Sequence, residues 1–217
     1  MTEEEIATVS TFILSKGLYL ENTTLRKLNL GDDCHSFQVC VASAEKNDLA
    51  PTTFKLPDDK GIIRIFQGNH SKELLLVCEL LQKALKFARN EHQAKYLHKF
   101  MDYLRTGNVA DQKEGSVAWV NDTSPPAETV IGFIEPYRDP SGIRREWMGL
   151  VAVRDEEQSK TFDTLAHHAE EFIEEMPWTK FKDSSTNNKF GPFEHAAFVR
   201  PDFVSLESLS TPHLNLH

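Results

Sequence analysis

The chain has 217 residues, 40% hydrophobic and 26% charged, with fourteen Phe and three Trp to fill a core, and a chain of this size needs no metal or disulfide staple to fold. Its formal net charge of −9 argues against a nucleic-acid partner, because phosphate binding rests on clustered Lys and Arg. No apolar run reaches bilayer-spanning length, and the acidic start Met1-Thr2-Glu3-Glu4-Glu5 is the reverse of a secretory signal, so no membrane is expected and the cytoplasm is the expected compartment.

Thr2, three Glu and then Ile6, Val9, Phe12 and Ile13 predict a capped amphipathic helix that Gly17 ends. The alternation from His35 to Ser43 and the branched run Gly61-Ile62-Ile63-Arg64-Ile65-Phe66 predict two strands, with loop between them. Cys34, Cys40 and Cys78 are odd in number and lack Cys-x-x-Cys spacing, so reduced, structural thiols are expected. From Ser71 to about Arg105, Leu74, Cys78, Leu81, Leu85 and then Leu97, Phe100, Met101 and Leu104 recur at helical spacing, which predicts one long helix or two, broken near Asn90. A short helical piece from Ala110 to Val117 precedes a linker at Ser124-Pro125-Pro126, where consecutive prolines remove amide donors.

Thr129 to Ile134 and Glu146 to Val153 predict the two strands of an antiparallel hairpin around the turn Asp139-Pro140-Ser141-Gly142. Phe162, Leu165, Ala169, Phe172, Ile173 and Met176 mark a further amphipathic helix closed by Pro177, and the polar stretch Asp183 to Lys189 reads as a loop. The predicted fold class is α+β: a mainly antiparallel sheet or partial β-barrel packed with several helices.

Within the hairpin, Gly132-Phe133-Ile134-Glu135-Pro136-Tyr137-Arg138-Asp139-Pro140 sets a carboxylate, a phenol and a guanidinium between an apolar run and a proline turn. Together with Glu21-Asn22-Thr23-Thr24-Leu25, Asn90-Glu91-His92-Gln93 and Arg200-Pro201-Asp202-Phe203-Val204-Ser205-Leu206, in that order along nearly the whole chain, it resembles the dipeptidyl peptidase III family of zinc aminopeptidases. The resemblance implies the lobe that carries a β-barrel and forms one wall of the substrate cleft, as a single domain over residues 1–217. It implies that Glu135 holds a peptide's free α-amino group and that Tyr137 stabilises a transition state by hydrogen bonding; Arg138 and Asp139 match further family positions and count with those two as the expected ligand-binding residues. Both roles are chemically reasonable, since a carboxylate pairs with an ammonium and a phenol donates to a developing oxyanion without ionising.

The family's zinc motif, His-Glu-x-x-x-Gly-His, and the Glu-Glu pair beyond it do not occur in the sequence. Pro136 stands where the family has a small polar residue, and the sequence ends at His217, before the Asn-bearing strand with which the family binds peptide backbone. The expectation is a shortened relative with no cofactor and no zinc peptidase activity of its own, most simply a non-catalytic module that binds a short peptide or small-molecule ligand. An alternative is a zinc-independent isomerase, cyclase or lyase with Tyr137 and Glu135 as acid and base. A third reading makes Glu135, Tyr137, Arg138 and Asp139 a salt-linked turn at a strand end. His167, His168 and Glu171 have one-turn helical spacing, but between apolar residues of an amphipathic helix they read as its solvated face, and no metal is assigned. A lobe without its partner lobe leaves apolar surface to cover, which makes a homodimer a further expectation.

Overall fold

The computed structural model describes residues 1–29, 35–47, 51–56, 61–123, 125–175 and 208–210. The first helix, α1 (Glu3–Ser15), carries a complete capping box: Thr2 Oγ1 accepts from the Glu5 amide and the Glu5 side chain accepts from the Thr2 amide, which satisfies two otherwise orphaned donors. Val9 and Ile13, one turn apart, then bury against the first sheet.

That sheet holds β1 (Thr23–Asn29), β2 (His35–Ala42), β3 (Thr52–Lys55) and β4 (Gly61–Asn69) in the order β1-β2-β4-β3. The β1–β2 and β3–β4 pairs are antiparallel and the central β2–β4 pair is parallel. A parallel pair needs a long crossover, and this one contains β3, which folds back onto β4 with Phe54 opposite Ile63. The predicted loop between the two strands thus carries an edge strand, formed by long-range pairing. One face of the sheet supplies Phe37, Val39, Ile63 and Ile65 to a core shared with Val9, Ile13, Leu20 and Leu56.

The helical region divides as the sequence predicts: α2 (Ser71–Ala84), a 3-10 turn over Leu85–Phe87, and α3 (Glu91–Thr106). Asn90 caps α3 by accepting from the Gln93 amide at 2.8 Å. Gly107 ends it at φ +77°, where an added Cβ would lie 2.5 Å from Val41 Cγ1; only glycine fits both the left-handed turn and the contact. Next, α4 (Val109–Val120) extends the short helix predicted around Ala110, started by Asn108 accepting from the Ala110 amide. Lys99 ties α3 to α4, its ammonium 3.0 Å from Asp111 and 2.8 Å from Glu114. Leu74, Cys78, Leu81, Leu97, Phe100, Met101 and Leu104, the residues of the helical periodicity, form a second core with Val109 and Ala118.

A second sheet has the order β5 (Ala127–Glu135), β6 (Glu146–Asp155), β7 (Ser208–Ser210), with β7 antiparallel to β6. The last helical stretch among the described residues is α5 (Glu156–His167) followed by α6 (Ala169–Glu175), starting earlier than the apolar pattern because Asp155 caps α5 through the Gln158 amide. The fold is α+β, and among the described residues the sheets do not close into a barrel. Two compact units emerge, Met1–Asp122 with Val130–Gly149, and Thr123–Thr129 with Leu150–His217. Cys34, Ser124, Pro177, the polar stretch 183–189, the block 200–206 and the tail with His213 and His217 lie outside the described residues.

Candidate functional site

The end of β5 and its connection to β6 carry the four predicted site residues. Its geometry begins one turn earlier, at Gly132, where φ is +139° and an added Cβ would sit 3.2 Å from the Phe100 ring. The missing side chain lets the strand lie against α3, with Ile131 and Phe133 packing on the helical core, so the end of β5 is anchored. Glu135 closes the strand, half-buried.

Beyond it, Asp139 organises the turn. Its Oδ2 accepts from the amides of Ile143 and Arg144, each at 2.8 Å, while its carbonyl accepts from the Gly142 amide at 2.9 Å. Burial alone would raise the Asp139 pKa, but the amide hydrogen bonds from Arg144 and Ile143 and the Arg144 guanidinium outweigh it, and the carboxyl lies below its ordinary value. Arg144 is desolvated in turn, which lowers its own pKa against the pull of Asp139, and its Nε and Nη2 are shielded with no hydrogen-bond partner. Arg138 extends into solvent, 89% exposed, with its Nε 2.9 Å from Glu146 at the start of β6. The Arg145 amide donates to the Glu21 carbonyl at 2.7 Å, tying the turn to the residues before β1.

Tyr137 is 79% exposed at the tip. Among the described residues neither its hydroxyl nor the Glu135 carboxylate has a hydrogen-bond or ion-pair partner. The structure therefore brings Arg138 to Glu146 and Asp139 to Arg144, and leaves Glu135 and Tyr137 free on either side of Pro136. Arg144 and Glu146 escaped the sequence reading; the signal for Arg144 was Asp139 itself, since an Asp opening a turn bonds to amides a few residues on. Beside the hairpin, Phe133 and Trp147 meet edge to face at 5.2 Å and wall a cavity of about 350 Å³ with His70, Glu73, Leu74 and Val77. His70 adopts φ +59°, the one non-glycine residue with positive φ among the described residues.

The His167 and His168 pair is already engaged: His167 Nδ1 lies 2.8 Å from the Asp163 carbonyl and His168 Nδ1 3.0 Å from Glu171 Oε2. Among the described residues no group of three or more His, Cys, Asp or Glu is placed to hold a metal ion. No helix there is long and apolar enough to cross a membrane.

The model of peptidase family M49 matches residues 1–212. The chain belongs to peptidase family M49. Dipeptidyl peptidase 3 of Dictyostelium discoideum is 36% identical over 210 residues, 97% of this chain, and that of Homo sapiens 33% identical over 215 residues, 96% of it. The chain spans 28% of the length of each of these relatives. In fold it is similar to the solved structure of DPP III from Caldithrix abyssi, with a TM-score of 0.53 and 20% identity over 82% of this chain and 28% of that one. The described part of this M49 chain thus comprises a sheet, its helical packing and a hairpin with a preformed turn.

Proposed function

We propose that this M49 chain is a non-catalytic binding module for a short peptide or small-molecule ligand, with Glu135 receiving a free α-amino group and Tyr137 donating to a ligand oxygen. The observation that carries this reading is the contrast within the turn. Asp139 is held by amides and Arg138 by Glu146, while the Glu135 carboxylate and Tyr137 hydroxyl have no partner among the described residues. A turn already locked leaves less ordering cost for a ligand to offset, and an unpaired carboxylate at a strand end suits an ammonium. In this reading Arg138 and Asp139 position the two contact residues. The reduced, buried thiols of Cys40 and Cys78 are in keeping with a cytoplasmic setting.

The acid–base alternative needs a sheltered phenol whose acidity its surroundings tune, and a Tyr137 that is 79% exposed does not favour it. The test is a calorimetric titration with tetra-alanine bearing a free N-terminus, and with its N-acetylated form. Binding of the free form alone is expected, weakened about tenfold or more by Glu135→Gln and less by Tyr137→Phe. Equal binding of the acetylated peptide, or wild-type affinity in both variants, would remove this turn as the site.

A further inference from the structure

One cavity of this chain has neither Glu135 nor Tyr137 in its lining. It measures about 430 Å³ and lies between the end of α1, the first sheet and the junction of α3 with α4, a size within the roughly 300–1,000 Å³ of small-molecule sites. Its apolar wall comes from Val39, Val41, Phe54 and Ile65. The amides on that wall are already engaged: Asn47 accepts from the Gln67 amide at 2.6 Å and donates to the Ile65 carbonyl, and Gln67 Nε2 donates to the Thr106 carbonyl at 3.1 Å. They leave shape and apolar contact, with little further hydrogen-bonding demand.

Two cations flank this cavity, and both are held in an unusual way for a chain of net charge −9. Lys16, itself a lining residue, has its ammonium 5.2 Å from the Phe12 ring centroid and 5.5 Å from that of Phe54. Lys113 sits 4.1 Å over the ring of Tyr19, another lining residue. Among the described residues neither ammonium pairs with a carboxylate. A ring face engages one side of an ammonium and leaves its other donors outward, so among the described residues the charge is positioned without a counter-charge. An apolar cavity with an unneutralised cation at its edge is complementary to an amphiphilic anion.

We propose that this cavity binds a monocarboxylate with an apolar acyl or aryl body, its carboxylate on Lys16 and its body against Val39, Val41, Phe54 and Ile65. Lys113 adds attraction from the side of Tyr19. The test titrates isotope-labelled protein with 4-phenylbutyrate, with decanoate and with the neutral amide 4-phenylbutyramide, following backbone amide shifts. Saturable shifts are expected at Val41, Ile65 and Gly107, with the acid bound more tightly than its amide. Lys16→Met keeps the apolar stem over the two rings and is expected to weaken the acid about tenfold, one charge-assisted contact, while leaving the amide unchanged. Thr52→Trp, on the exposed edge strand at the rim, is expected to block both. Equal affinity of acid and amide, an unchanged acid affinity in Lys16→Met, or no saturable shift at those amides with either acid would overturn the proposal.

Discussion

Asp139 fastens two backbone amides with a single oxygen, and that economy makes it sensitive to both substitution and pH. Asp139→Ala is expected to cost about 1–2 kcal/mol in urea unfolding, the scale of losing one polar cap, with Asp139→Asn losing less because its amide oxygen still accepts. Its folded pKa is depressed, so its contribution is fully present above the ordinary carboxylate value of about 4 and is lost as pH falls through the lower folded value. Unfolding midpoints of wild type and Asp139→Asn should therefore converge on acidification; a gap that widens towards low pH would contradict this assignment. The thiols give a second residue-scale expectation. Burial raises the pKa of Cys40 and of Cys78, each only partly offset by a nearby arginine, and the thiolate is the reactive form. In a Cys34→Ser background, both should resist a disulfide reagent at neutral pH until the chain unfolds, and rapid labelling of the native protein would refute their burial.

At the scale of elements, local signals and distant ones fared differently. The cap of α1, the break near Asn90 and the Asp139 to Gly142 turn were readable because the groups that make them lie within a few residues. The edge strand β3 was not, since its pairing with β4 supplies what Thr52–Lys55 lacks in pattern. The same holds within the site: the ion pair from Arg138 to Glu146 spans the whole turn, and no spacing rule joins those positions. Gly132 was visible as a glycine inside a strand, but only the fold shows Phe100 against it. Gly132→Ala is expected to cost about 1–3 kcal/mol through its positive φ and the contact with that ring, read as a lower unfolding midpoint. If the variant matches wild type, the anchoring of β5 on α3 is wrong. Peptide affinity should fall with it, because Glu135 lies three residues along the same strand.

For the molecule as a whole, membership of M49 rests on a match along almost the full chain, 1–212, which spans 28% of the length of the dipeptidyl peptidase 3 relatives. Part of its surface is apolar: Leu75, Leu76 and Leu80 on α2 are more than half exposed and Phe87 just beyond it is 85% exposed. Exposed apolar side chains favour association, and we propose that the chain self-associates, with the excess negative charge limiting it at low salt. Light scattering should give a mass that rises with protein concentration, more so in salt, and Leu76→Glu with Leu80→Glu should return it to the monomer. A monomer mass that stays constant over a wide dilution range would exclude the dimer.

The clamp on Lys99 has a chemical corollary. The hydrogen bonds that Lys99 donates to Glu114 and Asp111 raise its pKa, and an amine kept protonated is a poor nucleophile towards acylating reagents. Lys99 should acquire a label slowly while the two helices stay together and quickly once they part, so a timed acetylation read by mass spectrometry becomes a clock for the separation of α3 from α4, written by the protein's own side chain.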